Sequence, residues 1–183
     1  MGQTPSSPGP GLGSGYRWFS LLVAPLVWLR KWLKFVLIYL GGRPRPGEVR
    51  VSYEHQPIPA PQGIMVGGMV KFVPLMQIFP PSPWRFNILY LGSSALPPDL
   101  PQLLRLARRN GAKIILNQNG VGYPAWAGAD WQTVNRPMQA ALKEADYVFY
   151  QSEFCRLSAD RFLGPGRGAW GYGQRCRGTG RLD

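Results

Sequence analysis

The sequence predicts an α/β domain built on a doubly wound parallel sheet, preceded by an apolar helix with a basic stripe. Three observations carry that reading. Short apolar runs alternate with amphipathic stretches from Val49 to Gly164, the order of strand, helix, strand, helix joined by short turns. The run Lys113–Leu116 stops abruptly at Asn117, Gln118 and Asn119, followed by Gly120 and Gly122 and a Tyr123-Pro124 pair. A buried parallel strand whose carboxyl end opens into a polar loop has this pattern, and ligands of open α/β sheets bind at that end. Finally, the 25-residue stretch Tyr16–Leu40 is the most apolar part of the chain, yet it contains Arg30, Lys31 and Lys34.

The chain has 183 residues, 45% of them hydrophobic, which is one ordinary domain plus tails with enough apolar content for a core. Its 23 Gly and 19 Pro exceed what a compact domain needs and predict irregular ends. The net charge is +12, unevenly spread. Residues 1–50 hold 7 basic side chains against 1 acidic, residues 51–163 hold 10 against 7, and residues 164–183 hold 4 against 1. The central domain is thus only mildly basic. It shows neither a basic face with interleaved aromatics nor a known nucleic-acid module, so nucleic acid is not an expected partner. Cys155 and Cys176 lack CxxC spacing and His55 is the single histidine. Zinc and Cys-His catalysis by the usual signatures are therefore not expected, and no metal is. Cys155 reads as a small buried residue in a reduced compartment.

In chain order, residues 1–15 form a Pro/Gly/Ser segment that cannot build a core and is expected to be disordered. Over residues 16–40, helical spacing gathers Arg17, Ser20, Arg30, Lys31 and Lys34 into one arc of about 140°, with Trp18, Leu22, Leu29, Trp32, Leu33, Val36 and Leu40 opposite. Interrupting cations and the lack of a small-residue cleavage site argue against a signal peptide. The pattern describes a membrane-interacting amphipathic helix lying in an anionic interface, kinked at Pro25. A tilted single span and a helix packed on the domain are the alternatives. Either membrane arrangement, peripheral or singly anchored, puts the domain on the cytoplasmic side, Arg43, Arg45 and Arg50 holding it there if the helix spans.

Residues 41–47 are a Gly/Pro linker. Val49–Tyr53 alternates as a first strand with Val49, Val51 and Tyr53 on one face. After a proline-rich loop, a helix is expected from about Gly67 to Phe79, with Pro74 in its first turns. Phe86–Leu91 is a second strand, ending at Gly92-Ser93-Ser94. Asp99 is placed to cap a helix over Leu100–Arg109, and Asn110-Gly111 to stop it. Beyond the loop after Lys113–Leu116, Gln132–Ala145 reads as a helix with Pro137 near its start. Asp146–Tyr150 is the fourth strand, Ser152 caps a helix over Glu153–Phe162, and Gly164 ends it. Residues 165–183 are rich in Gly and Arg, show neither helical nor strand periodicity, and read as a disordered tail.

GGMVKF (67–72), FNILYLGSS (86–94), LLRLARRNGAKIILNQNGVGYPAW (103–126) and DYVFYQSEFCRLSADRFLG (146–164) resemble the amino-terminal domain of a GT-B glycosyltransferase of the family 4, group 1 type. The resemblance spans about residues 48–164, and its last two segments are the most specific. It implies a Rossmann-like acceptor-side domain, the incomplete amino-terminal half of a GT-B architecture. The implied reaction transfers a sugar from a nucleotide-sugar donor to a hydroxyl acceptor. The acceptor's own hydroxyl is the nucleophile, so no residue here is assigned a catalytic role and no cofactor is implied. Gly67 and Gly68 would form the loop near the donor diphosphate, where glycine admits close backbone approach and a helix start favours anions. Asn117, Gln118, Asn119 and Tyr123, with Gln151 and Glu153, would line the acceptor side, and His55 is a further candidate.

The chain contains no Glu-x7-Glu element and no second, donor-binding domain, and residues 165–183 match nothing in the family. A frame change or early stop would produce such a tail. Two readings stand side by side: a membrane-associated glycosyltransferase domain whose donor domain is missing or encoded separately, and a non-catalytic truncated fragment that retains only acceptor or partner binding at a membrane. Each candidate residue also has a structural reading. The glycines permit a tight strand-helix turn, the amides satisfy loop backbone, and Trp126 and Trp131 cover the loop rather than stack on a sugar.

Overall fold

A computed structural model describes residues 15–53 and 71–172, with side chains from residue 25 onward. The chain separates into two units, Met1–Val36 and Leu37–Asp183. The first contributes most of helix α1, Gly15–Gly41, which contains Pro25 and agrees with the expected Tyr16–Leu40 to within one residue at each end. The last turn of α1 belongs to the second unit and is packed there. Ile38 is completely buried, its carbonyl accepts from Asn110 Nδ2 at 3.0 Å, and the Arg109 guanidinium lies 4.1 Å over the Tyr39 ring.

The second unit is an α/β fold of Rossmann-like type around a five-stranded, all-parallel sheet. Its elements are β1 (Val51–Ser52), α2 (Phe72–Ile78), β2 (Ile88–Gly92), α3 (Leu100–Arg109), β3 (Lys113–Gln118), the single turn α4 (Pro124–Ala127), α5 (Trp131–Glu144), β4 (Tyr147–Tyr150), α6 (Glu153–Phe162) and β5 (Ala169–Tyr172). The strand order is β1-β2-β3-β4-β5, so chain order and spatial order coincide. A doubly wound sheet reverses strand order part-way, and among the described strands no such reversal occurs.

Helices nevertheless cover both faces, because alternate strand residues point to opposite sides. On one face Val51, Tyr53 and Tyr90 meet Phe72, Leu75 and Met76 of α2, with Phe72 edge-on to both tyrosine rings. The opposite face presents Leu89, Leu91, Ile114, Leu116 and Val148, all at most 1% exposed. The buried residues of α3 (Leu100, Leu103, Leu104, Ala107) and α5 (Ala141, Leu142) complete the hydrophobic core.

Several boundaries move from their expected places for identifiable reasons. The first strand is shorter than Val49–Tyr53: Val49 is half exposed, and Arg50 N–H donates to the Asn87 side chain at 2.9 Å rather than to a strand. The third strand is longer than its apolar run, since Asn117 and Gln118 pair with Phe149 and Tyr150. Pro137 lies mid-helix in α5, not near its start. It is exposed there along with Thr133, whose carbonyl loses its helical N–H partner to the proline ring. Helix α3 has the expected bounds, with Asp99 in the N-cap position and Gly111 at φ +70° just past its end, a left-handed conformation that glycine adopts without strain. Ser152 caps α6 by accepting from Cys155 N–H at 3.3 Å.

The largest departure is β5. Residues 169–172 were expected in a disordered tail, yet they pair in register with all of β4. This strand is a mostly exposed edge, so its residues carry no burial alternation. Its aromatics provide the attachment: Trp170 packs edge-on to Tyr150 and beneath the Arg156 guanidinium at 5.0 Å.

Candidate functional site

The carboxyl ends of β2, β3 and β4 bring together the amides singled out above, and pleating divides them. Asn117 and Asn119 turn toward the α2 side of the sheet, where Lys71, immediately before α2, donates to Asn117 Oδ1 at 3.4 Å and to Asn119 Oδ1 at 3.2 Å. Asn117 Nδ2 donates to the Tyr90 hydroxyl at 2.9 Å. Asn119 is held on every side: its N–H donates to Ser93 Oγ at 2.9 Å, its Nδ2 to Ser94 Oγ, and its carbonyl accepts from Cys155 Sγ at 3.1 Å. Gln118 points the other way. It is fully buried, its Nε2 donates to Gly120 O at 2.6 Å, and it shapes the start of the loop.

The electrostatics of this corner are one-sided. Burial lowers the Lys71 ammonium below its ordinary pKa, the nearby Cys155 only partly opposing that. No carboxylate pairs with Lys71 among the described residues, and its partners are neutral amide oxygens. An ammonium carries three N–H donors, and the described residues accept two of them. Burial likewise raises the Tyr90 phenol, with the Asn117 hydrogen bond offsetting part of the rise.

The loop beyond β3 is braced from α5. Asn135 is completely buried; its Oδ1 accepts from Gly122 N–H at 2.7 Å and its Nδ2 donates to Gly122 O at 2.9 Å. The fit is close here: a Cβ at 122 would lie 3.1 Å from both Asn135 Oδ1 and Trp131 O and would press on the bracing pair. Tyr123 is partly exposed and packs on Phe162, as does Trp131, so Tyr123 ties the loop, and Trp131 the start of α5, to α6. Trp126 remains open to solvent. Gln151 and Glu153 are exposed at the β4 end and the first turn of α6. Cys155, expected to be buried, is only partly so. His55, Gly67 and Gly68 lie outside the described residues. Among the described residues no cluster of His, Cys, Asp or Glu could hold a metal ion.

No family model, curated protein or solved structure matches the chain. Its own geometry therefore has to carry any functional reading. Sequence reasoning missed Lys71, Ser93 and Asn135 as members of this corner. Ser93 follows the second strand in the same position that Asn119 follows the third, and that parallel was available as a signal. Lys71 and Asn135 sit in helical contexts where a lone polar residue ordinarily faces solvent, so only the fold reveals them.

Proposed function

We propose that this corner is the acceptor-side subsite of a glycosyltransferase domain, holding a hydroxyl-rich ligand for sugar transfer from a nucleotide sugar. The observation that carries the reading is the Lys71 ammonium, held among the described residues by two neutral amide oxygens beside serine hydroxyls at the carboxyl edge of a parallel sheet. Such an edge is where α/β folds bind ligands, and clustered amides and hydroxyls suit polyhydroxyl recognition. The Rossmann-like fold and the resemblance of residues 48–164 to GT-B amino-terminal domains favour glycosyl transfer over other uses of such an edge.

Incubation with UDP- or GDP-sugars and hydroxyl acceptors, with and without an added donor domain, tests this. Transfer only when the donor domain is present, reduced at least about tenfold by Lys71→Met, is the expected result. Turnover by the chain alone would overturn the placement of the donor. Acceptor binding without transfer under any condition would favour the non-catalytic reading.

An anionic membrane surface is the proposed second partner, through α1. Leu26, Trp28, Leu29, Trp32 and Leu33 are each about half or more exposed, on a helix that also carries Arg30, Lys31 and Lys34. Among the described residues no helix is long and apolar enough to cross a membrane, which supports interfacial binding over a span. Sedimentation with anionic vesicles should be strong at low salt and weaken as salt rises. Carbonate-resistant insertion would reject the interfacial version.

A further inference from the structure

A groove of about 860 Å³ runs between α3 and α5 on the outer side of the helix layer, away from the carboxyl-edge corner. Two stripes at helical spacing form its walls. Leu104, Arg105 and Arg108 come from α3, and Arg136, Ala140 and Lys143 from α5. Four cationic side chains thereby share one cleft with a single carboxylate, Glu144.

That carboxylate is already engaged. Arg108 Nε lies 3.4 Å from Glu144 Oε2, while its Nη1 meets Asp146 Oδ2 at 2.7 Å and its Nη2 donates to the Glu144 carbonyl. Arg108 is thus a fixed wall. Arg105 Nε donates to the Pro101 carbonyl one turn back at 3.3 Å, which orients its guanidinium, and no described residue bonds its terminal nitrogens. Arg136 and Lys143 have no ion-pair or hydrogen-bond partner among the described residues. A solvated helix face would ordinarily intersperse acidic residues at i±4 among such cations. Here the uncompensated charges converge across two helices, over an apolar floor of Leu104 and Ala140. A field of this kind concentrates anions. Arginine forks match phosphate oxygens bidentately, and a lysine adds a point charge.

We propose that the α3–α5 groove binds a phosphate-bearing anion, with Arg105, Arg136 and Lys143 as its ligands and Arg108 fixing the wall. A soluble pyrophosphate-like group and a phosphomonoester lipid headgroup share this chemistry. The site does not depend on the acceptor-side reading, since it shares no residue with that corner.

Titration of the full chain with inorganic pyrophosphate at low salt tests the proposal, run in parallel with vesicles containing phosphatidic acid. The paired variant Arg136→Gln/Lys143→Gln is compared with Arg161→Gln/Arg167→Gln. Both pairs remove two exposed charges, and glutamine is tolerated in helices, so circular dichroism should match wild type for each. The expected result is a loss of affinity of roughly tenfold or more confined to the groove pair. Loss in the pyrophosphate arm identifies a soluble ligand, and loss in the vesicle arm alone identifies a headgroup. Equal weakening by both pairs in both arms would mean diffuse net charge and overturn the site, as would binding of neither probe by the wild-type chain.

Discussion

Two charged groups at opposite ends of the sheet have opposite surroundings. At the amino-terminal end, Asp146 accepts from Ile114 N–H at 2.8 Å and faces Arg108 at 2.7 Å and Lys113 at 3.5 Å. Burial pushes this carboxyl's pKa up, but the Ile114 N–H and the two cations outweigh it and hold the group below its ordinary value. At the carboxyl-terminal end, burial lowers the Lys71 ammonium with no described carboxylate to restore it. One charge is compensated, so its site stabilises the fold. The other is held by neutral oxygens at a net electrostatic disadvantage, the condition expected where a ligand completes the site.

The largest effect should come from what braces the loop between these roles. Asn135→Ala strands the buried N–H and C=O of Gly122, and urea unfolding should show a loss of about 3 kcal/mol with an unchanged m-value. A much smaller loss would mean that the loop relaxes to water without cost. Next, Asp146→Ala leaves the Ile114 N–H without its partner and Arg108 with Glu144 alone, and should remove about 2 kcal/mol. Its pH dependence has a definite sign. A depressed carboxyl contributes stability that is complete above its ordinary value near 4 and is lost as pH falls through the lower folded-state value. Acid unfolding below about pH 4 should therefore steepen in wild type relative to Asp146→Asn. Parallel acid profiles would deny Asp146 its compensated role. The smallest effect on stability is expected at Lys71.

Much of this contrast was legible in the sequence in outline and hidden in detail. Helices α3 and α6 kept their expected limits because glycines and a serine cap mark their ends locally. The edge strand β5 was invisible because only one side of it is paired, and pairing alone leaves no apolar alternation. The run Asn117-Gln118-Asn119 signalled a strand end two residues too early, since β3 continues through Gln118, and composition gives no indication of which amide faces which layer. Pleating decides that, sending Asn117 and Asn119 to Lys71 and burying Gln118. Lys71 itself lies 46 residues before Asn117 in the chain, and only the parallel crossover brings the two together.

Equilibrium urea unfolding of Lys71→Met at neutral pH separates a ligand-binding role for this lysine from a structural one. A lysine whose pKa is lowered by burial opposes folding while it is charged, and methionine relieves that desolvation at similar volume. Stability equal to or above wild type is expected. A loss comparable to that of Asp146→Ala would show Lys71 to be a structural group, and the reading of the carboxyl edge as a ligand site would fall with it.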